Sequence, residues 1–396
     1  MTGIVTGIMQ GSPPQRIPPR LDWDRAPWNR WSFHHVREVL PTVEVWRGDG
    51  PKHVFAEGRP LPKDLPVAAT DGSPGTLASL LAETFTDGFI VLKDGAIVFE
   101  QYFGGMTPRS LHLSQSVAKS VTSAVAGILV GRGLLDVAAP VTDYLPELAG
   151  TAWRGATLQQ VLDMTTGVRF SEDYTDPHSE MGQLDVAAGW KPVPPDAAPG
   201  LSWPQHVWEL ILILTEAERP HGAGFQYRSI ETDVLAFCME RVTGKRLAQL
   251  VSEELWQKMG AQESACFTVD PAGYALADGG FNACLRDYVR FGLLLSRQGE
   301  GLVPAAWIAE ARNAAFAAEP GRYSQSLPHG SYHNQFWVED KAARSLLCRG
   351  VFGQLIYVNF HTGLVAAKVS SWPEFTAPAR EQATLAAIHS IERYLA

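Results

Sequence analysis

Ser116-Val117-Ala118-Lys119 heads the run Ser120-Val-Thr-Ser-Ala-Val-Ala-Gly-Ile-Leu-Val-Gly131, whose apolar spacing is helical and which carries no further charge. The spacing predicts a helix over Val117–Gly131. Residues three apart share a helix face, so the Lys119 ammonium can reach the Ser116 hydroxyl, and the helix N-terminus offers free N–H groups at the same point. Apolar neighbours would depress the lysine pKa and let the amine act as a base. A surface lysine on an ordinary helix is the alternative for such a tetrapeptide, so its weight depends on what else the chain supplies.

On the N-terminal side, Thr76–Thr84 has helical spacing, and Phe89-Ile-Val-Leu-Lys-Asp-Gly-Ala-Ile-Val-Phe99 reads as a hairpin turning at Asp94-Gly95. On the C-terminal side helices are predicted at Leu158–Met164, Val207–Ala217, Thr232–Thr243, Ala248–Met259 and Asn282–Arg297. Strands follow at Gln354–Asn359 and Leu364–Ser370, joined by the turn Phe360-His-Thr-Gly363, and a helix at Arg380–Leu395 closes the chain. Strands at both ends of a helical middle imply an α+β protein, with a central antiparallel sheet drawn from both termini and flanked by helices. The expected division is an N-terminal arm (1–65), a discontinuous α/β subdomain (66–115 with 280–396) and a mostly helical subdomain (116–279). Within the last, 169–204 is rich in Pro, Gly, Trp and Asp without periodicity, and a loop of that length is expected to wall a pocket.

Composition excludes several classes. The 396 residues are 45% hydrophobic with a net charge of −9, and no Lys/Arg-rich run offers a track for phosphates, so nucleic acid is not an expected partner. The run Ser120–Leu135 is too short and too interrupted for a membrane span, and Met1–Pro19 lacks the basic and apolar regions of a secretory leader. Cys238, Cys266, Cys284 and Cys348 have neither zinc-site spacing nor the density of a disulfide scaffold, and read as free buried thiols. The expectation is a soluble cytoplasmic enzyme.

Common hydrolytic and cofactor motifs are missing: no Gly-x-Ser-x-Gly elbow, His-Glu-x-x-His helix, phosphate loop or dinucleotide fingerprint occurs. What accompanies Ser116 and Lys119 is Gly224-Phe-Gln-Tyr-Arg-Ser229, just before a helix. There Tyr227 can relay the serine proton and Ser229 can hydrogen-bond the lysine or the substrate. Taken alone, Tyr227 reads as a core aromatic, and it is the combination with Ser116 and Lys119 that gives it a catalytic reading. Further on, Arg349-Gly-Val-Phe-Gly-Gln354 is expected to open a strand whose glycines admit a substrate to the backbone, where an N–H can complete an oxyanion hole with that of Ser116. A plain glycine bulge is the alternative.

Ser-x-x-Lys, Tyr-x-Ser and a glycine-bearing strand, in this order, resemble the penicillin-recognising serine hydrolases: class C β-lactamases, family VIII esterases and D-alanyl-D-alanine carboxypeptidases. The likeness extends to the nylon-oligomer hydrolases through Asn29-Arg-Trp-Ser-Phe33, Pro146-Glu-Leu-Ala-Gly150, Val161-Leu-Asp-Met164, Phe225-Gln-Tyr227, Thr232-Asp-Val-Leu235 and Val369-Ser-Ser-Trp-Pro373. The resemblance implies a β-lactamase/transpeptidase-like fold that cleaves linear amides and short-chain esters through an acyl-enzyme. It implies Ser116 as nucleophile, Lys119 and Tyr227 as its base pair, and the N–H groups of Ser116 and Val351 as oxyanion donors. It further implies that Tyr174 contacts the substrate amide, that Asp185 pairs with its amino end, and that Trp190 and Trp337 line the pocket. Without the resemblance, Asp185 reads as a solvated loop acid.

Two positions depart from the family pattern. Phe352 stands where relatives carry His or Lys before the Gly, and Asp278 stands where the nylon-oligomer enzymes carry Asn, so both are expected at the substrate pocket. No cofactor or metal is implied; the expected partner is a small amide or ester, and a homodimer is expected from the resemblance. Rival readings are a promiscuous family VIII carboxylesterase with little amidase activity, a β-lactamase or cell-wall peptidase, and a binding module of the same fold with an idle serine.

Overall fold

Asp94 and Gly95 both take positive φ, +52° and +84°, the turn that suits the twist of a two-residue hairpin, and Thr86–Lys93 pairs antiparallel with Ala96–Tyr102 across it. A computed structural model describes residues 7–198, 200, 202–313, 316–317, 322–340, 342 and 345–396. Among these the hairpin lies in a nine-stranded sheet. The order runs Phe316–Ala317, Ser331–His333, Phe336–Val338, Leu346–Gly350, Gln354–Asn359, Leu364–Ser370, Thr86–Lys93, Ala96–Tyr102 and Ala56–Glu57. Every pairing is antiparallel except the last, which is parallel.

Successive strand residues face opposite sides, and the central strands are apolar on both. Ile90, Leu92, Ile356, Val358 and Val365 join the core that contains Leu285, Phe291 and the helix Val117–Gly131. Phe89, Val91, Leu355, Tyr357 and Leu364 join a second core with Leu385, Ile388 and Ile391 of the C-terminal helix Pro378–Leu395. Burying both faces is what lets the runs Phe89–Leu92 and Leu364–Ala367 go without a polar residue.

A smaller sheet, ordered Thr42–Val45, Ala265–Thr268, Phe281–Cys284 and Leu111–Leu113, delivers the chain into Ser116. It corrects one expectation. The helix predicted from Asn282 begins only at Leu285 and ends at Ser296, because Phe281–Cys284 is a strand buried at every position, which carries no alternation to distinguish it from a helical turn. Likewise the helix predicted over Ala248–Met259 is a short helix, Leu247–Val251, continued by a π turn at Ser252–Trp256, and the one predicted to Ala217 stops at Ile213. The stretch expected as an aperiodic loop holds a helix, Glu180–Ala187, capped by Ser179 accepting from the Gly182 N–H. Residues of the N-terminal 65 also enter the body: Trp23 and Phe33 are fully buried, and Thr42–Val45 pairs with Ala265–Thr268. All four cysteines are buried and unpaired.

Candidate active site

Ser116 occupies the N-cap of the helix Val117–Gly131, a position where serine ordinarily spends its hydroxyl on a backbone N–H, yet it makes no such bond. The preceding Gln115 is held at φ +49°, a left-handed conformation unusual for a side-chain-bearing residue. Together these leave Oγ turned toward Lys119, whose Nζ lies 2.9 Å away. Ser229 repeats the pattern at the N-cap of Ile230–Thr243: it too makes no capping bond, and its Oγ lies 3.1 Å from the same Nζ. Two helix N-termini therefore converge on one ammonium, an arrangement that favours an anion at their focus and works against the lysine's charge.

Lys119 is 1% exposed, and its third contact is the carbonyl oxygen of Asp278 at 2.7 Å. Burial holds its pKa below the ordinary lysine value, while Asp278, Glu172 and Asp233 pull the other way. The Asp278 carboxylate stands 3.9 Å from Nζ, and burial with Glu172 nearby raises its own pKa. Ser229 donates to Glu172 Oε1, while Oε2 of the same carboxylate takes the Ser229 N–H at 2.8 Å. Because the Ser229 proton is committed to Glu172, its oxygen faces Lys119 as an acceptor. With Ser229 and Asp278 accepting two N–H bonds, a neutral amine presents its lone pair to the Ser116 proton.

Tyr227 is 4% exposed, with the Lys119 Nζ 5.2 Å from its ring centroid, and the neighbouring Ser116 hydroxyl favours its ionised form. Burial and the nearby Glu172 raise its pKa well above the ordinary phenol value, so the phenol stays protonated and serves as a donor. Trp337 stacks on it, 5.7 Å between centroids.

The nucleophile sits where two chambers meet. One, an open cavity of about 640 Å³, is walled by Tyr227, Trp337, Arg349, Trp372 and Phe375; the other, about 330 Å³, by Asp185, Trp190, Ser229 and Asp278. Ser116, Tyr174 and Val351 line both. Tyr174 donates to Glu172 Oε1 at 2.7 Å and stacks on Phe375. Trp190 is fixed by its indole N–H on Thr268 at 3.0 Å and by Trp23 against its ring. Asp185 lies on the helix Glu180–Ala187, half-buried, its pKa pushed up to about 7 by burial and by Asp24.

The glycine segment is a one-turn 3-10 connection, Val351–Gly353, between the strands Leu346–Gly350 and Gln354–Asn359, and not the opening of a strand. Gly350 is required there, since a Cβ would stand 2.5 Å from the Ser114 carbonyl oxygen. The turn corrects the expectation for Phe352. At φ +62° its ring is carried out of both chambers and packs between Phe33 and Phe375, at 5.1 and 4.7 Å, 2% exposed.

Ser116, Lys119, Tyr227, Ser229, Tyr174, Asp185, Trp190, Asp278, Trp337 and Val351 thus meet around one cleft, and Phe352 does not. Glu172, at the centre of the hydrogen bonds, and Arg349, on the cavity wall, went unassigned in the sequence. The available signals were Glu172 two residues before Tyr174 and Arg349 directly before the glycine turn.

A partly exposed serine hydrogen-bonded to a buried lysine at a helix N-terminus, a tyrosine donor and a glycine turn beside a mixed sheet are the machinery of an acyl-transferring serine hydrolase. The sequence pattern of the β-lactamase family matches residues 77–390, and the chain belongs to that family. It is 36% identical over 381 residues, 92% of each chain, to the 6-aminohexanoate-dimer hydrolase of Paenarthrobacter ureafaciens. Among solved structures, a Bacillus anthracis protein described as a candidate 6-aminohexanoate-dimer hydrolase superposes with a TM-score of 0.87 at 27% identity, covering 97% of this chain and 98% of that one. A family VIII carboxylesterase shares the fold at a TM-score of 0.57 and 15% identity, over 85% of this chain and 100% of its own.

Proposed function

We propose that the enzyme hydrolyses linear amides of the 6-aminohexanoate-oligomer kind, and short-chain esters, through an acyl-enzyme on Ser116. The observation that carries the reading is Lys119, held between Ser116, Ser229 and the Asp278 carbonyl at the junction of two chambers. The similarity to the P. ureafaciens hydrolase over 92% of the chain supports the amide class.

In this reading Lys119 takes the Ser116 proton as Oγ bonds to the substrate carbonyl carbon. The backbone N–H groups of Ser116 and Val351 hold the oxyanion. The carbon–nitrogen bond then breaks as Tyr227 gives its proton to the leaving nitrogen and recovers one from Lys119. Water attacks the acyl ester, the carboxylic acid departs, and Ser116 regains its proton. Asp185 receives the amino end of the acyl portion, opposite Trp190.

A cytoplasmic setting belongs to the same proposal and is supported by the four unpaired buried thiols. A homodimer is proposed from the resemblance, with light scattering as its check. The test of function is a comparison of rates on a p-nitrophenyl ester, the 6-aminohexanoate dimer and nitrocefin. Turnover of the first two that is lost in Ser116→Ala supports the reading; ester cleavage without dimer cleavage would favour a carboxylesterase.

A further inference from the structure

The two chambers differ in charge: among the described residues the smaller is walled by the carboxylates of Asp185 and Asp278 without a cation, and the larger by one cation, Arg349, together with one carboxylate, Glu381. Since Phe352 is packed away, no other positive group at that turn reaches the site.

Arg349 is the penultimate residue of the strand Leu346–Gly350 and is held firmly. Its Nε and Nη2 both reach Glu381 Oε1, and its guanidinium lies over Trp337, 4.8 Å from the ring centroid. The side chain is 11% exposed, yet Nη1 is buried with no hydrogen-bond partner among the described residues. A guanidinium presents its donors in a rigid fork suited to carboxylates, so a fixed arginine with an idle nitrogen is preorganised for a further acceptor. Arg349 and Tyr227 both pack against Trp337 in the wall of the same cavity, which sets the guanidinium on the side of the reacting bond.

We propose that Arg349 is a specificity residue whose guanidinium receives a carboxylate on the leaving-group side of the substrate. The inference rests on the proposed hydrolysis of linear amides with the amino end at Asp185. That end belongs to the acyl portion, so the leaving amine extends into the larger cavity. A linear ω-amino acid oligomer then places its ammonium and its carboxylate at opposite ends of the cleft, with the scissile carbonyl at Ser116. Glu381 already shares the guanidinium, so the selection comes from hydrogen bonding more than from net charge.

Two substrate pairs test this: the 6-aminohexanoate dimer against its C-terminal carboxamide, and para-butyryloxybenzoate against para-butyryloxybenzamide. The wild-type enzyme is expected to favour the carboxylate in each pair by about tenfold in kcat/KM, mainly through KM. In Arg349→Met the ratio falls to about one, Arg349→Lys keeps part of it, and Glu381→Gln raises it by freeing the fork. A wild-type ratio of about one, or a ratio that survives Arg349→Met, overturns the proposal. Should Arg349→Met lack the wild-type circular dichroism spectrum, unchanged ratios in both Arg349→Lys and Glu381→Gln overturn it. Failure of the amide reading is separate: neither amide is cleaved while both esters are, and the ester pair still decides the role of Arg349.

Discussion

Lys119 Nζ lies 2.9 Å from Ser116 Oγ, in a helix where every residue from Val117 to Leu129 is buried. An ammonium is costly in such a place, and burial moves the proton balance toward the free amine that deprotonates serine. Ser116→Ala is therefore expected to abolish turnover, and Lys119→Arg, which stays charged, to lower kcat/KM roughly a thousandfold. Steady-state rates and the mass of the fluorophosphonate adduct check both; a Lys119→Arg enzyme that acylates at the wild-type rate would remove the lysine from its role as base.

Asp278 is the strongest of the acidic groups holding the Lys119 proton on. In Asp278→Asn that influence is gone, so Lys119 deprotonates at lower pH. The acid limb of the kcat/KM profile moves down the pH scale while activity persists. No movement, or movement upward, in a full pH profile contradicts this.

Asp185 has its pKa pushed up to about 7 and is an anion only above that value. If it receives the substrate ammonium, KM for the 6-aminohexanoate dimer falls as pH rises from about 6 to about 8, whereas KM for an uncharged butyrate ester does not. Asp185→Asn should raise the dimer KM about tenfold and flatten its dependence. Parallel profiles for the two substrates would take Asp185 out of recognition.

Phe352→His is expected to create no cation at the site. The ring is enclosed by Phe33 and Phe375, so an imidazole there is desolvated and loses packing, at a cost of about 2 to 4 kcal/mol. Thermal unfolding should show a lower midpoint, and nitrocefin turnover should not rise; a gain of β-lactamase activity at unchanged stability would place position 352 in the cavity after all.

Ser116 and Lys119 were legible because their relation is helical, fixed by residues three apart on one strongly apolar run. The Asp94-Gly95 hairpin and the two strands around Phe360–Gly363 were legible for the same reason, since turn chemistry and short-range periodicity are written locally. Tyr227, Ser229 and the glycine turn could be chosen only by their order and by family resemblance, because nothing local says that they approach Ser116.

The sequence by itself determined the class of the fold, the serine–lysine pair and the run of residues that forms the cleft. Tertiary structure alone decided what surrounds the pair. Glu172 became the acceptor that orients Ser229, Arg349 a held guanidinium with one nitrogen idle, and Phe352 a core ring. The reason is that a side chain's contacts across the chain depend on where the backbone turns, and a single residue at φ +62° carries the ring at 352 away from the pocket that its place in the motif suggested.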